Sequence, residues 1–205
     1  MIDMDAVGRQ VEAGRAELAA SDKAILSLAT RTRIWRAMLD PQDDEASYRR
    51  QIELKMACVR HVRYVWDRAF PGDGRVEEML TLAQELIDQQ ADPKQANRRA
   101  GSFIVHVRDE LADVHDLVIR SAVLVADAAS STTISACFRD PIRAISDDAK
   151  SDDELLPDTL EPSYCCAGAA AHALNWMPIE KTDVPARRAF WRWYLDVAIP
   201  QVLAG

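Results

Sequence analysis

Apolar residues recur at helical spacing along almost the whole chain. Val7, Val11 and Leu18 form one stripe, and Ile25, Leu28, Trp35 and Leu39 form the next. Such spacing puts each set on one face of a helix, so the chain opens with two helices or one kinked helix, with Ser21 or Asp22 as a cap. Asp40-Pro41-Gln42-Asp43-Asp44-Glu45 reads as a turn, because its proline cannot extend a helix and its acids oppose the dipole of the helix that follows. That helix runs to Phe70 on a stripe of Tyr48, Ile52, Val59, Val62, Trp66 and Phe70. Arg49, Arg50, Lys55, Arg60, Arg63 and Arg68 fall mostly on its other faces. Pro71-Gly72-Asp73-Gly74 then breaks the chain, and Val76, Met79, Leu80, Ala83, Leu86 and Ile87 complete a helical hairpin.

Asp92-Pro93 is a cap followed by proline at the first helical position, so another helix starts there and can bend at Gly101. The stretch Ser102 to Ala128 carries Ile104, Val107, Leu111, Val114, Val118, Ala122 and Val125 on one face, flanked by Val105, Leu117 and Leu124. This is the widest apolar arc in the chain and predicts one long central helix; the alternation in FIVHV alone would also suit a strand. Ser130-Ser131-Thr132-Thr133 reads as a breaker or cap before a short helix to Phe138, and Asp140-Pro141 starts another. Ser163 can cap the small-residue helix CCAGAAAHALNW. Thr182 or Asp183 with Pro185 opens a last helix, which Pro200 ends.

Composition agrees with this pattern. The 205 residues are 48% hydrophobic with only 7 Gly and 9 Pro, which disfavours a turn-rich sandwich or barrel. The fold expected is a single all-α domain over residues 1–205, a bundle or array of helical hairpins with about seven to nine helices. Lys and Arg number 25 against 33 Asp and Glu, a net charge of −8 that argues against a nucleic-acid partner. The charge is uneven: from Asp140 to Glu161 eight acids face only Arg143 and Lys150, a local net of −6, and an acidic loop is expected at about 147–162. The start, MIDMDAVGRQ, lacks the apolar run of a secretory signal. The longest nearly apolar stretches, Ser121 to Ala129 and Cys165 to Trp176, fall short of a membrane span, so a cytoplasmic chain without membrane contact is expected. Cys58, Cys137, Cys165 and Cys166 then read as reduced thiols packed as small hydrophobes.

Candidate chemistry is sparse. His106, Glu110 and Asp113 share a helical face and could hold a divalent metal, but they lack a second ligand pair or an HExxH motif. His115 lies nearer the core stripe, and His61 and His172 stand on separate helices with no nucleophile signature beside them. GxSxG, Walker A and GxGxxG are missing, and Gly72-Asp73-Gly74 is a turn without a strand before it. No catalytic residue, cofactor or metal is therefore assigned. Near the C-terminus, Phe190, Trp191, Trp193 and Tyr194 alternate with Arg187, Arg188 and Arg192. That mixture suits stacking on nucleic acid, but Val184, Trp191, Leu195 and Ala198 form a core stripe widened by Phe190 and Tyr194, with the arginines able to lie over rings. Trp193 falls off the stripe and is the aromatic expected to be exposed or to meet a partner.

Three strings carry a resemblance: RAELAASDKAILSLAT (Arg15 to Thr30), RHVRYVWDRAFPGDGRVEEMLTLAQELI (Arg60 to Ile87) and RRAFWRWYLDVAIPQV (Arg187 to Val202). Together they resemble a family of bacterial polymorphic-toxin immunity proteins, over about the first 90 residues and the last 20. The acid-rich middle lies outside the resemblance, and PGDGR is poorer in acids than the family's turn at that place. The resemblance implies an all-α cytoplasmic protein, encoded beside a toxin, that protects its cell by binding that toxin. It carries over no functional residue and leaves the toxin's activity and the oligomeric state open.

Two functional readings follow. In the first, an inhibitory binding protein meets a basic protein toxin through Asp147, Asp148, Asp152, Asp153 and Glu154, with Trp193 as a further contact; opposite charge would speed association. A solvated linker between helices is the default reading of such a charge run, and the partner surface is the sharper one. In the second, a helical enzyme or small-molecule sensor has an inter-helix pocket with His106, Glu110 or Asp113 at its mouth. An interaction scaffold with another partner also remains open.

Overall fold

The computed structural model describes residues 1–141, 150–155 and 160–204. Among them no strand occurs, and the chain is all-helical: α1 (Met4–Ala20), α2 (Leu28–Ala37), α3 (Asp44–Ala69), α4 (Arg75–Ile87), α5 (Pro93–Glu110), α6 (Leu117–Ala136), α7 (Pro162–Ala171), α8 (Val184–Trp193) and α9 (Ile199–Ala204). Aspartate and serine start most of these. Asp3, Asp43, Asp92, Asp116 and Asp183 each accept a backbone N–H of the first turn, as does Ser27 for α2, satisfying donors that have no partner inside the helix. Ser21 instead ends α1, where its hydroxyl accepts Ile25 N–H at 2.8 Å. The helix expected after Asp140-Pro141 falls almost wholly outside the described residues.

The helices close on one apolar core with α6 at its centre, packed by α3, α4, α5 and α7. The predicted stripes of α3 and α4 are buried, apart from the half-buried Phe70 at the end of α3. The intervening Pro71–Gly74 turn is stapled where Trp66 Nε1 donates to Asp73 O at 3.0 Å, and it uses a left-handed residue, Gly72 at φ 79°, that glycine supplies without steric strain. By length and composition α6 could cross a membrane, and it exceeds the apolar stretches singled out in the sequence. Here more than half of its most apolar stretch is buried, packed by α3, α4, α5 and α7.

Four expectations are corrected. The predicted helix from Ser102 to Ala128 is two helices, because α5 stops at Glu110 and Asp116 caps α6 by accepting Val118 and Ile119 N–H at 2.8 and 3.0 Å. Leu111 is buried in the intervening turn and Val114 packs partly against the core, so the apolar period runs through a break it cannot reveal. Gly101 lies within α5, and FIVHV is helical. The Ser130–Thr133 run does not break α6 either. Thr132 and Thr133 donate to Ala128 O and Ala129 O one turn back, Thr133 also reaches Met79 O, and Ser130 reaches Ala100 O at 2.9 Å. Hydroxyls satisfied in this way let small side chains bring α6 close to α4 and α5. The cap of α7 is Glu161 rather than Ser163.

Pro200, lastly, does not end the C-terminal helix. Between α8 and α9 the backbone runs through a π-turn, Tyr194–Ala198, closed by Ile199 N–H donating to Tyr194 O. Proline has no N–H and crowds the carbonyl four residues back; the wider turn relieves this and lets α9 continue.

Trp191 is 2% exposed, whereas Trp193 is only partly covered. Trp191→Ala is therefore expected to cost about 3–5 kcal/mol in denaturant melts, and Trp193→Ala clearly less. Equal losses would contradict this packing.

On α6 the buried Asp127 accepts Arg108 Nη2 of α5 at 2.6 Å. Burial pushes its pKa up from 3.8 to about 6, with Arg108 opposing. A carboxyl whose folded pKa exceeds its unfolded one favours folding below pH 4, an advantage that disappears as pH rises to 6. The difference corresponds to at most about 3 kcal/mol. Urea melts should show Asp127→Asn gaining on the wild type as pH goes from 4 to 7; a gap independent of pH would contradict the burial of this charge.

Candidate functional site

Two acids of the chain's acidic segment, Asp152 and Glu161, lie inside the protein. Arg31, on the buried face of α2, is fully enclosed and sends one nitrogen to Glu161 at 2.8 Å and Ser163 at 3.0 Å and the other to Asp152. Its guanidinium lies 5.7 Å from the centroid of Trp35 and 5.3 Å from that of Trp191, and Trp35 Nε1 donates to Tyr194 OH at 2.7 Å. Burial alone would lower the arginine's pKa, but the charges of Asp152 and Glu161 outweigh it and raise it. Burial also pushes Asp152 up against the pull of Arg31. Glu161 has a second role, since its carboxylate accepts Ser163 N–H at 2.8 Å and Tyr164 N–H at 3.3 Å at the start of α7. Lys55 is buried nearby; burial lowers its pKa, and it donates to Ser135 Oγ at 3.1 Å.

These contacts divide the predicted partner-binding acids. Asp152 is 3% exposed and paired with Arg31, which corrects its place on a partner surface: an enclosed carboxylate that already holds a guanidinium is not offered to another protein. Asp153 and Glu154 are exposed. Asp153 accepts Tyr164 OH at 2.7 Å, and Glu154 closes a capping box with Ser151, whose hydrogen bonds lower its pKa. Asp147 and Asp148 lie outside the described residues. Asp152–Glu154 forms a single 3-10 turn, so this part of the acidic segment is shaped by the core beneath it.

Trp193, the aromatic expected to be exposed, stacks on His61 with ring centroids 3.7 Å apart and planes within 8°. Burial lowers the pKa of that histidine. Arg187 and Arg188, beside the aromatics, bind carbonyls. Arg187 is buried on Ala173 O and Lys23 O, and Arg188 holds Leu18 O and Ser21 O at the end of α1, where cations complement the helix dipole.

The exposed tryptophan is Trp176, 66% accessible, which the sequence reading missed. It follows α7 in a turn held from several sides. Lys23 Nζ donates to Asn175 O at 3.2 Å and Met177 O at 2.9 Å, and Asn175 N–H meets Tyr164 OH at 3.4 Å. The turn and the first half of α6 enclose a groove of about 300 Å³ lined by Leu117, Leu124, Leu174, Trp176 and Met177, with Arg120, Ser121 and His172 as its polar members. Gly168 on α7 packs closely beneath it: a Cβ there would sit 2.9 Å from a methyl of Leu174 and 3.2 Å from one of Leu124, two residues of that lining, which would have to shift.

The His106, Glu110 and Asp113 set is not brought together as a helical face would have it, because Asp113 falls in the turn after α5. Glu110 accepts both terminal nitrogens of Arg75 at 2.8 Å, and those hydrogen bonds lower its pKa. Among the described residues no group of three His, Cys, Asp or Glu side chains could hold a metal ion. Cys58, Cys165 and Cys166 are free, buried thiols whose pKa burial raises well above the usual value, and Cys137 is half-buried.

The described residues thus make an all-α domain whose buried charges serve packing and whose most exposed aromatic stands beside an acidic turn. The chain belongs to the Imm5 family of immunity proteins: the model for immunity protein Imm5 matches residues 11–201. The match takes in the middle of the chain, which the resemblance left out. No curated protein matches the chain.

If Asp152 belongs to the core and Asp153 to the surface, Asp152→Asn should cost about 3 kcal/mol, because it leaves Arg31 undercompensated in the interior. Asp153→Asn should change stability by no more than about 0.5 kcal/mol. Chemical denaturation of the two variants tests this, and equal effects would contradict the division.

Proposed function

We propose that this chain is a non-catalytic immunity protein that works in the cytoplasm, binding and neutralising a cognate toxin encoded by a neighbouring gene. The observation that carries the reading is the family match over residues 11–201. Two features support it: the acidic segment is fastened to the core through Asp152 and Glu161, and it leaves Asp153 and Glu154 exposed at the surface. With Asp147 and Asp148 they form the electrostatic part of an interface for a basic toxin surface, the kind that receives an anionic substrate. Covering it excludes that substrate, and opposite charge steers the encounter.

Changing Asp147, Asp148, Asp153 and Glu154 to Asn or Gln, with Asp152 kept, should slow association with the neighbour-encoded toxin and flatten its salt dependence while the melting curve stays in place. Binding kinetics at two salt concentrations read this out. An unchanged association rate would remove the acids from the interface, and a wild-type chain that neither binds nor protects against that toxin would overturn the reading.

A further inference from the structure

Trp176 has an unusual combination of a fixed backbone and a bare side chain. Lys23 holds the carbonyls on both sides of it, Arg187 holds Ala173 O, and Asn175 N–H rests on Tyr164 OH, yet the indole is 66% exposed. Leu117, across the groove, is 47% exposed. An aromatic held in place before binding loses little conformational freedom when a partner covers it, and such anchors dominate interface energetics.

One charge lines the groove, and an opposite one is linked to its turn by hydrogen bonds. On the α7 side, the Tyr164 hydroxyl that receives Asn175 N–H donates to the exposed Asp153, which ties the acidic turn to the turn carrying Trp176. On the α6 side, Arg120 is exposed and its guanidinium has no partner among the described residues. His172 adds an available nitrogen there. The Ser121 hydroxyl donates to Leu117 O at 2.7 Å, so at its 3.0 Å contact with His172 it accepts from Nδ1, leaving Nε2 for another group.

We propose that this groove is the apolar anchor site of the toxin interface. It takes an aliphatic or aromatic side chain of the toxin, with a toxin cation beside Asp153 and a toxin carboxylate beside Arg120. The assignment rests on the reading of the chain as a toxin-binding protein. It moves the aromatic contact from Trp193 to Trp176 and fixes the order of charges on the partner.

The probe is the catalytically inactivated product of the neighbouring toxin gene, with binding followed in real time for the full chain and for Trp176→Ala, Arg120→Glu, Asp153→Lys and Val197→Ala, each checked for unchanged helicity. Trp176→Ala should weaken binding about thirtyfold or more, chiefly through faster dissociation. Arg120→Glu and Asp153→Lys should each weaken it about tenfold or more, since both place like charges in contact. Val197→Ala, an exposed apolar change outside the groove lining, should leave it unaltered. Tight wild-type binding unaffected by Trp176→Ala and Arg120→Glu would overturn this site and leave the immunity reading standing. A wild-type chain that does not bind would overturn both. A small anion that co-purifies with the wild type and is lost on Arg120→Ala, seen by native mass spectrometry, would make the groove a ligand pocket and overturn its assignment to the toxin.

Discussion

The enclosed guanidinium of Arg31 is the interaction on which the arrangement of this protein depends. It joins α2 to Asp152 and Glu161, partners 121 and 130 positions away in sequence. It also lies near the rings of Trp35 and Trp191, the first bonded to Tyr194 in the π-turn. Four separated stretches meet at one cation. A buried charge without partners is strongly unfavourable, so each stretch has to be in place for the others to be tolerated. Apolar residues of similar volume could give equal stability, but they would not select which stretch of chain lies over α2.

Surface features follow from that buried point. Glu161 neutralises Arg31 and caps α7 with the same carboxylate, which sets the direction in which α7 enters the core. Every residue of α7 is buried, and its alanines, cysteines and Gly168 allow close approach to α6. Tyr164 carries this order outward by contacting Asp153 on one side and Asn175 on the other. The acidic turn and Trp176 are neighbours for this reason, although Asp153 and Asn175 each lie 11 positions from Tyr164, in opposite directions along the chain.

Where burial and periodicity coincide, the sequence is legible, as in the α3 and α4 stripes, the Asp92-Pro93 start and the burial of Trp191, Leu195 and Ala198. It misleads where one signal has two physical sources. Leu111 continues an apolar stripe through a turn, and hydroxyls read as a breaker instead donate to carbonyls inside α6. The acidic run misleads in the same way: Asp152 resembles its neighbours in sequence, but it is buried on Arg31 whereas Asp153 and Glu154 are exposed. A usable signal was present in α2, where Arg31 stands three residues after Leu28 and four before Trp35 and so falls on the apolar stripe. An arginine at such a position calls for a distant carboxylate. Trp176 gave no comparable signal, because its exposure comes from a turn fixed by Lys23 and Tyr164, contacts that local sequence does not specify.

Hydrogen exchange on Arg31→Lys tests the organising role of this cation most directly. Lysine keeps the charge but cannot fork to two carboxylates. Amide protection should fall from Ser151 to Leu155 and from Leu160 to Met177, including the Trp176 turn, while α3, α4, α5 and α6 stay protected. Protection unchanged in those segments, or lost evenly over all helices, would contradict the account.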